Sequence, residues 1–205
     1  MHEAQLTQRG RLTRQRIIAA TGEQILASGI GGTTLDTVRA ATLTSKSQLF
    51  HYFPGGKAEL IREVAEWEWN QLWEAQEPEI TDLGSWESWE RWRTRLVDYY
   101  VGRGRWACPI SSLATQAAVT DSELERILAK SMRVWRGALA AGVRHMQQAG
   151  AVDQAADADR IAAVILAAIQ GGLILSQPEG SAWPLEAALD NALAPLHQAA
   201  PRTQV

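Results

Sequence analysis

Along this chain apolar residues recur at intervals of three and four, the spacing of helices that bury one face. Ile17, Ile18, Thr21, Ile25 and Leu26 lay out a first helix over 13–28, with Gly29 as its stop. Leu35 and Val38 mark a short second helix, and Thr33 and Thr34 ahead of them offer hydroxyls for its cap. Ser45 stands three residues before Gln48, the S-x-x-Q form of a capping box, and opens a third short helix that Pro54-Gly55-Gly56 ends. A fourth begins at Lys57 and carries Leu60, Val64, Trp67 and Leu72. Beyond a loop over 76–84, Ser85 caps a fifth that runs to about Gly102. A short sixth follows Pro109, a long seventh runs from Asp121 or Ser122 to Gln148, and Asp157 opens an eighth that is apolar nearly all round. Pro178 to Pro184 reads as a turn, and Leu185 to His197 as the last helix. No span alternates with period two for long enough to make a strand. The predicted class is all-α, about nine helices in two units.

The two short capped helices, joined by a turn at Thr42-Leu43-Thr44, have the form of a helix-turn-helix whose second helix enters the DNA major groove. The expected organisation is an N-terminal arm and DNA-binding head over 1–56, a helical body over 57–200, and a frayed tail over 201–205. Arg9 and Arg11 belong to the arm, either solvated or reaching along a DNA backbone. Arg14 and Arg16 fall near the expected start of the first helix, where the helix dipole disfavours them unless a phosphate lies close.

At Thr33-Thr34, Val38, Ser45-Lys46, Leu49-Phe50-His51-Tyr52-Phe53 and Lys57 the sequence resembles the tetracycline-repressor (TetR) family of bacterial transcription regulators. Three positions depart from the family pattern. The turn, usually Ala-Gly-Val, lacks its glycine and holds Leu43. Phe50 replaces a tyrosine whose hydroxyl often points at phosphate. Phe53 and Lys57 are one residue further apart than usual. The resemblance implies a homodimer, with a four-helix seam made by the eighth and last helices, and Leu173, Leu175, Ala188, Leu189, Ala192 and Leu196 are its expected members. It also implies a small-molecule effector bound in the body.

Charge agrees with that division. The net charge is -3, yet residues 1–60 hold seven Lys+Arg against four Asp+Glu, a balance of +3 that leaves the rest at -6. A single cysteine, Cys108, excludes an intramolecular disulfide and fits a reducing cytoplasm. No apolar run is read as long and uninterrupted enough to cross a bilayer, and the first residues lack a signal-peptide core. The four histidines are scattered, with no H-x-x-x-H or C-x-x-C pairing, nucleophile elbow or phosphate-binding glycine loop. No enzyme, cofactor or metal site is expected.

The candidate DNA contacts are Thr33, Thr34, Ser45, Lys46, Gln48, His51, Tyr52 and Lys57. Lys46 and His51 project from the third helix. Gln48 serves either the capping box or an adenine edge. Tyr52 and Lys57 are assigned to phosphate, the latter because a helix N-terminus favours anions. Nine tryptophans exceed what a small helical core needs, so either a crowded core or an aromatic-lined pocket is implied. Trp89, Trp92, Tyr99, Trp135 and Gln170 are its expected lining, suited to a flat or apolar organic molecule. Together these residues predict a cytoplasmic, ligand-responsive repressor on a palindromic operator. The competing expectation is a small-molecule binding protein with a vestigial head.

Overall fold

The structure, a computed structural model, describes residues 6–117 and 121–198. The expected tail and the first five residues of the arm lie outside these. Among the described residues all regular structure is helical. The elements are α1 (Gln8–Gly32), α2 (Leu35–Thr42), α3 (Lys46–Tyr52), α4 (Gly56–Gln76), α5 (Trp86–Arg103), α6 (Pro109–Ala117), α7 (Ser122–Gln148), α8 (Ala158–Glu179) and α9 (Trp183–Gln198), with a single 3-10 turn at Glu79–Thr81. Two compact units emerge: Met1–Asn70 with Pro109–Ala129, and Gln71–Cys108 with Lys130–Val205. The division falls inside α4 and α7 rather than at the 56/57 boundary read from the sequence.

In the first unit, α1 starts five residues ahead of the expected helix, because Thr7 caps it by accepting from the Gly10 amide. Arg14 therefore lies two turns in. Its guanidinium pairs with Glu63 at 2.5 Å and sits over the Phe53 ring, so it needs no phosphate. The dipole conflict moves to Arg9 and Arg11, in a first turn without acids. Gly29 breaks the helix at φ 74°, and one further turn carries the chain to Gly32. α6 packs on α1, and its Gln116 carboxamide accepts from the Ile30 amide that the break leaves free. The core here is Ile17, Ile18, Ile25, Val38, Leu49, Phe53, Leu60 and Val64, all buried.

In the second unit α8 and α9 make the most extensive helix pair, and α5 leans on α9. The buried face of α8 holds Ala162, Ile165, Ile169, Gly172 and Leu173. Gly172 is required there, since a Cβ at that position would stand 2.7 Å from the Leu185 Cα. α8 runs past Pro178 to a left-handed cap at Gly180, and Trp183 and Pro184 already form the first turn of α9. Pro184 is at home in the first turn of α9, where its missing N–H would have had no intrahelical partner, whereas Pro178 leaves the Ile174 carbonyl without its donor one turn before α8 ends. Contrary to the sequence reading, α8 is long and apolar enough to cross a membrane by length and composition, with a mean hydropathy of 1.7; only a third of that window is buried.

Candidate nucleic-acid interface

The second short helix is held at both ends by its own sequence. Thr34 Oγ1 accepts from the Thr37 amide while Thr37 Oγ1 accepts from the Thr34 amide, a reciprocal box. Its other end turns at Leu43, the sole non-glycine residue at positive φ among those described (φ 51°, ψ 37°), whose side chain is 90% exposed. Ser45 and Gln48 repeat the box on α3: the Gln48 amide donates to Ser45 Oγ and Gln48 Oε1 accepts from the Ser45 amide, both at 3.1 Å. Each box fixes one helix, of eight and of seven residues, too short to stand alone.

Leu49 and Phe53 anchor α3 inward and are fully buried. The remaining face is open, with Lys46, Ser47, Gln48, Phe50 and His51 exposed. Ser47 was missed in the sequence because it carries neither charge nor aromatic ring. Its spacing of four from His51 was the available signal. Tyr52 is half-buried with its hydroxyl beside Gly10 in the first turn of α1, the turn that also presents Arg9 and Arg11. The Arg11 guanidinium donates to the Leu6 carbonyl at 2.7 Å, and the Gly10 amide donates to Thr7 Oγ1.

Two assigned contacts are turned to other work. Thr33 is buried, and both its amide and its hydroxyl donate to the Gly29 carbonyl, so it closes α1 and has nothing left for phosphate. Lys57 donates its Nζ to the Ile30 carbonyl at 2.7 Å, and the nearby Gly55 amide is taken by Glu59 Oε2 at 2.6 Å. One of the three Lys57 donors and the Gly55 amide are thus engaged within the chain. Gln48 has its Oε1 in the capping box, leaving only its NH2 to reach a base.

Two tryptophans of the second unit are tied to one buried side chain. Trp92 and Trp135 are fully buried, and each donates its indole N–H to Gln76 Oε1 at 2.9 Å. Gln76 is itself buried and donates to the Leu72 carbonyl. Trp89 meets Trp92 edge to face at 5.5 Å. Tyr99 lies under the Arg103 guanidinium, which also donates to its hydroxyl, and Gln170 is on α8. One carboxamide thus ties Trp92 and Trp135 together in the interior. Gln76 gave no warning in the sequence, where it read as the start of a loop. A groove of about 720 Å³ does lie between α5 and α9, and of the expected lining only Trp89 reaches it.

The expected dimer residues divide as well. Leu173, Leu189, Ala192 and Leu196 are buried within their own subunit, which corrects their assignment to an outward seam. Leu175 is exposed and Ala188 half-buried. The open face of α8 holds Val164, Ala167, Gly171, Ile174 and Leu175, with Ile174 71% exposed. Among the described residues no three His, Cys, Asp or Glu side chains gather as metal ligands would.

Residues 88–191 match the family described as transcriptional regulator, LmrA/YxaF-like, C-terminal domain. The fold is similar to that of the regulatory protein TetR from Rhodobacter sphaeroides, with a TM-score of 0.80 at 17% identity over 90% of this chain and 98% of that one. A TetR transcriptional regulator from Chloroflexus aurantiacus aligns with a TM-score of 0.79 at 22% identity over 94% and 98% of the two chains. A TetR-family regulator from Cytophaga hutchinsonii gives 0.80 at 16% identity over 97% and 100%. A comparison with curated protein sequences finds no match.

Proposed function

The chain belongs to the TetR family of transcriptional regulators, and on that premise we propose that it is a homodimeric, ligand-responsive repressor that binds a palindromic operator in the cytoplasm. The observation that carries the DNA-binding part is the face of α3: Leu49 and Phe53 are fully buried while Lys46, Ser47 and His51 are exposed on the opposite side. A capped, rigid helix presenting an ammonium, a hydroxyl and an imidazole is equipped to read base edges. Thr34, Ser45 and Tyr52, with the first turn of α1, sit at its flanks for phosphate.

Dimerisation is supported by the open stripe on α8. Val164, Ala167, Gly171, Ile174 and Leu175 span about 100° of the helix by its 3.6-residue period, the width of a buried seam. A two-fold axis on that stripe would present two α3 helices to two half-sites. Release requires an effector that binds the DNA-incompetent arrangement better than the competent one. α4 is the proposed lever, since one continuous helix runs from the turn after α3 to Gln76.

Mobility shift against DNA flanking the coding region tests the reading. Sequence-selective binding that weakens steeply with salt is expected, and Lys46→Ala should lower the salt slope by about one unit. Lys57→Ala is unsuited to this test because it removes the Ile30 contact. Absence of selective binding at low salt by a well-folded dimer would overturn the reading in favour of a binding protein with a vestigial head.

A further inference from the structure

The groove between α5 and α9 is left unused by both the α3 face and the α8 stripe. Each wall is one helix face. Trp86, Glu90 and Thr94 recur at four-residue intervals on α5, and Asp190, Ala194 and His197 do so at four and three on α9. Trp89 and Leu193, both buried, supply apolar wall. Its volume of about 720 Å³ falls within the range of sites for small organic ligands.

Aromatic geometry and charge together select the occupant. The Trp86 indole and His197 imidazole are already stacked, with centroids 4.5 Å apart and planes 26° from parallel. A flat ring therefore lengthens the stack instead of entering it. Arg93 and Asp190 spend their charges on each other across the groove, Nε to Oδ1 at 2.5 Å. Glu90, one turn along α5 from Trp86, is exposed and has no ion-pair partner among the described residues. One unmatched carboxylate beside a π-face favours positive charge twice, by direct attraction and by the ring quadrupole. We infer that this groove is a binding site for a flat aromatic cation, held by stacking on Trp86 and His197 and by the carboxylate of Glu90.

A neutral ring of the same shape gains only the stacking, and an anionic one meets Glu90. Service as the effector site of the regulator rests on the function proposed above, whereas the binding itself does not. The two are separated by measuring binding on the full-length, DNA-free protein. Calorimetric titration with N-methylquinolinium, quinoline and 2-naphthoate compares a cation, a neutral ring and an anion of similar area. The cation should bind about tenfold more tightly than quinoline, with 2-naphthoate weakest. Glu90→Gln, an exposed and nearly isosteric change, should erase the cation's advantage and leave quinoline affinity unchanged. Trp86→Leu should weaken both rings. No binding, no preference for charge, or a preference that survives Glu90→Gln would each overturn the inference. Cation binding by a protein that gives no DNA complex would sink the regulator and leave the groove standing.

Discussion

Leu43 shows how a single residue sets both a cost and a test. It occupies a left-handed turn position that costs an L-residue roughly 1–2 kcal/mol, and its side chain is too exposed to recover that by packing. Leu43→Gly removes the strain, less the extra chain entropy glycine loses on folding, so a gain of roughly 0.5–1 kcal/mol in urea unfolding is expected. Gln76 predicts the opposite sign. Gln76→Leu keeps the volume but strands two buried indole donors, those of Trp92 and Trp135, at a cost of about 2–4 kcal/mol. Tyr100 brings in pH. Burial first, then the neighbouring Cys108 thiol, pushes its phenol well above the ordinary value of 10.0. Above about pH 10 the unfolded chain releases this proton while the folded one keeps it, so stability falls as pH rises from there. Below that value both states hold the proton and the group is silent. Denaturant unfolding at pH 9 and pH 11 should show a loss that Tyr100→Phe makes smaller.

At the scale of helices, the glycines separate contacts within the chain from contacts beyond it. A Cβ at Gly142 of α7 would lie 2.5 Å from Leu83 Cβ and 3.0 Å from the Trp89 ring. Gly142→Ala should thus cost about 1–3 kcal/mol despite the better helix propensity of alanine. Gly137 on the same helix faces nothing within 4 Å, so Gly137→Ala should stabilise by up to about 1 kcal/mol, measured by the same unfolding assay. The sequence revealed much at this scale. Spacing, caps and breakers together located the nine α-helices of the described residues, and Ser45 with Gln48 announced α3 because a capping box is a local arrangement with a local signature. What it withheld was tertiary. An evenly apolar helix does not say which face points inward, so Leu173 looked no different from Ile174 until α9 was in place. Lys57 and Thr33 were legible as polar residues beside a DNA-binding motif, but the carbonyls they satisfy come from a break in α1 at Gly29. Nothing in the pattern foretold that Gln76 would close two tryptophans into core.

For the whole molecule, the decisive question is whether the open stripe of α8 meets a second copy. Gly171 and Gly172 are adjacent in sequence yet differ in what surrounds them. Gly172 is fixed by the backbone of α9, while among the described residues nothing comes within 4 Å of a Cβ at Gly171. Within one subunit, Gly171→Ala should therefore be neutral or stabilising by up to about 1 kcal/mol. If two α8 helices cross at that glycine, the added methyl holds them apart and the dimer weakens. Ile174→Glu attacks the same surface differently, placing a charge where an apolar side chain would be buried against its twin. Sedimentation equilibrium should show Ile174→Glu as a folded monomer, and its operator affinity should fall at least about a hundredfold because each half-site is then bound alone. Far-ultraviolet dichroism and thermal unfolding of the monomer check that the fold survives. A dimer of undiminished strength in both variants would place the two-fold axis elsewhere, and α8 would then need another explanation for an exposed row of Val164, Ile174 and Leu175.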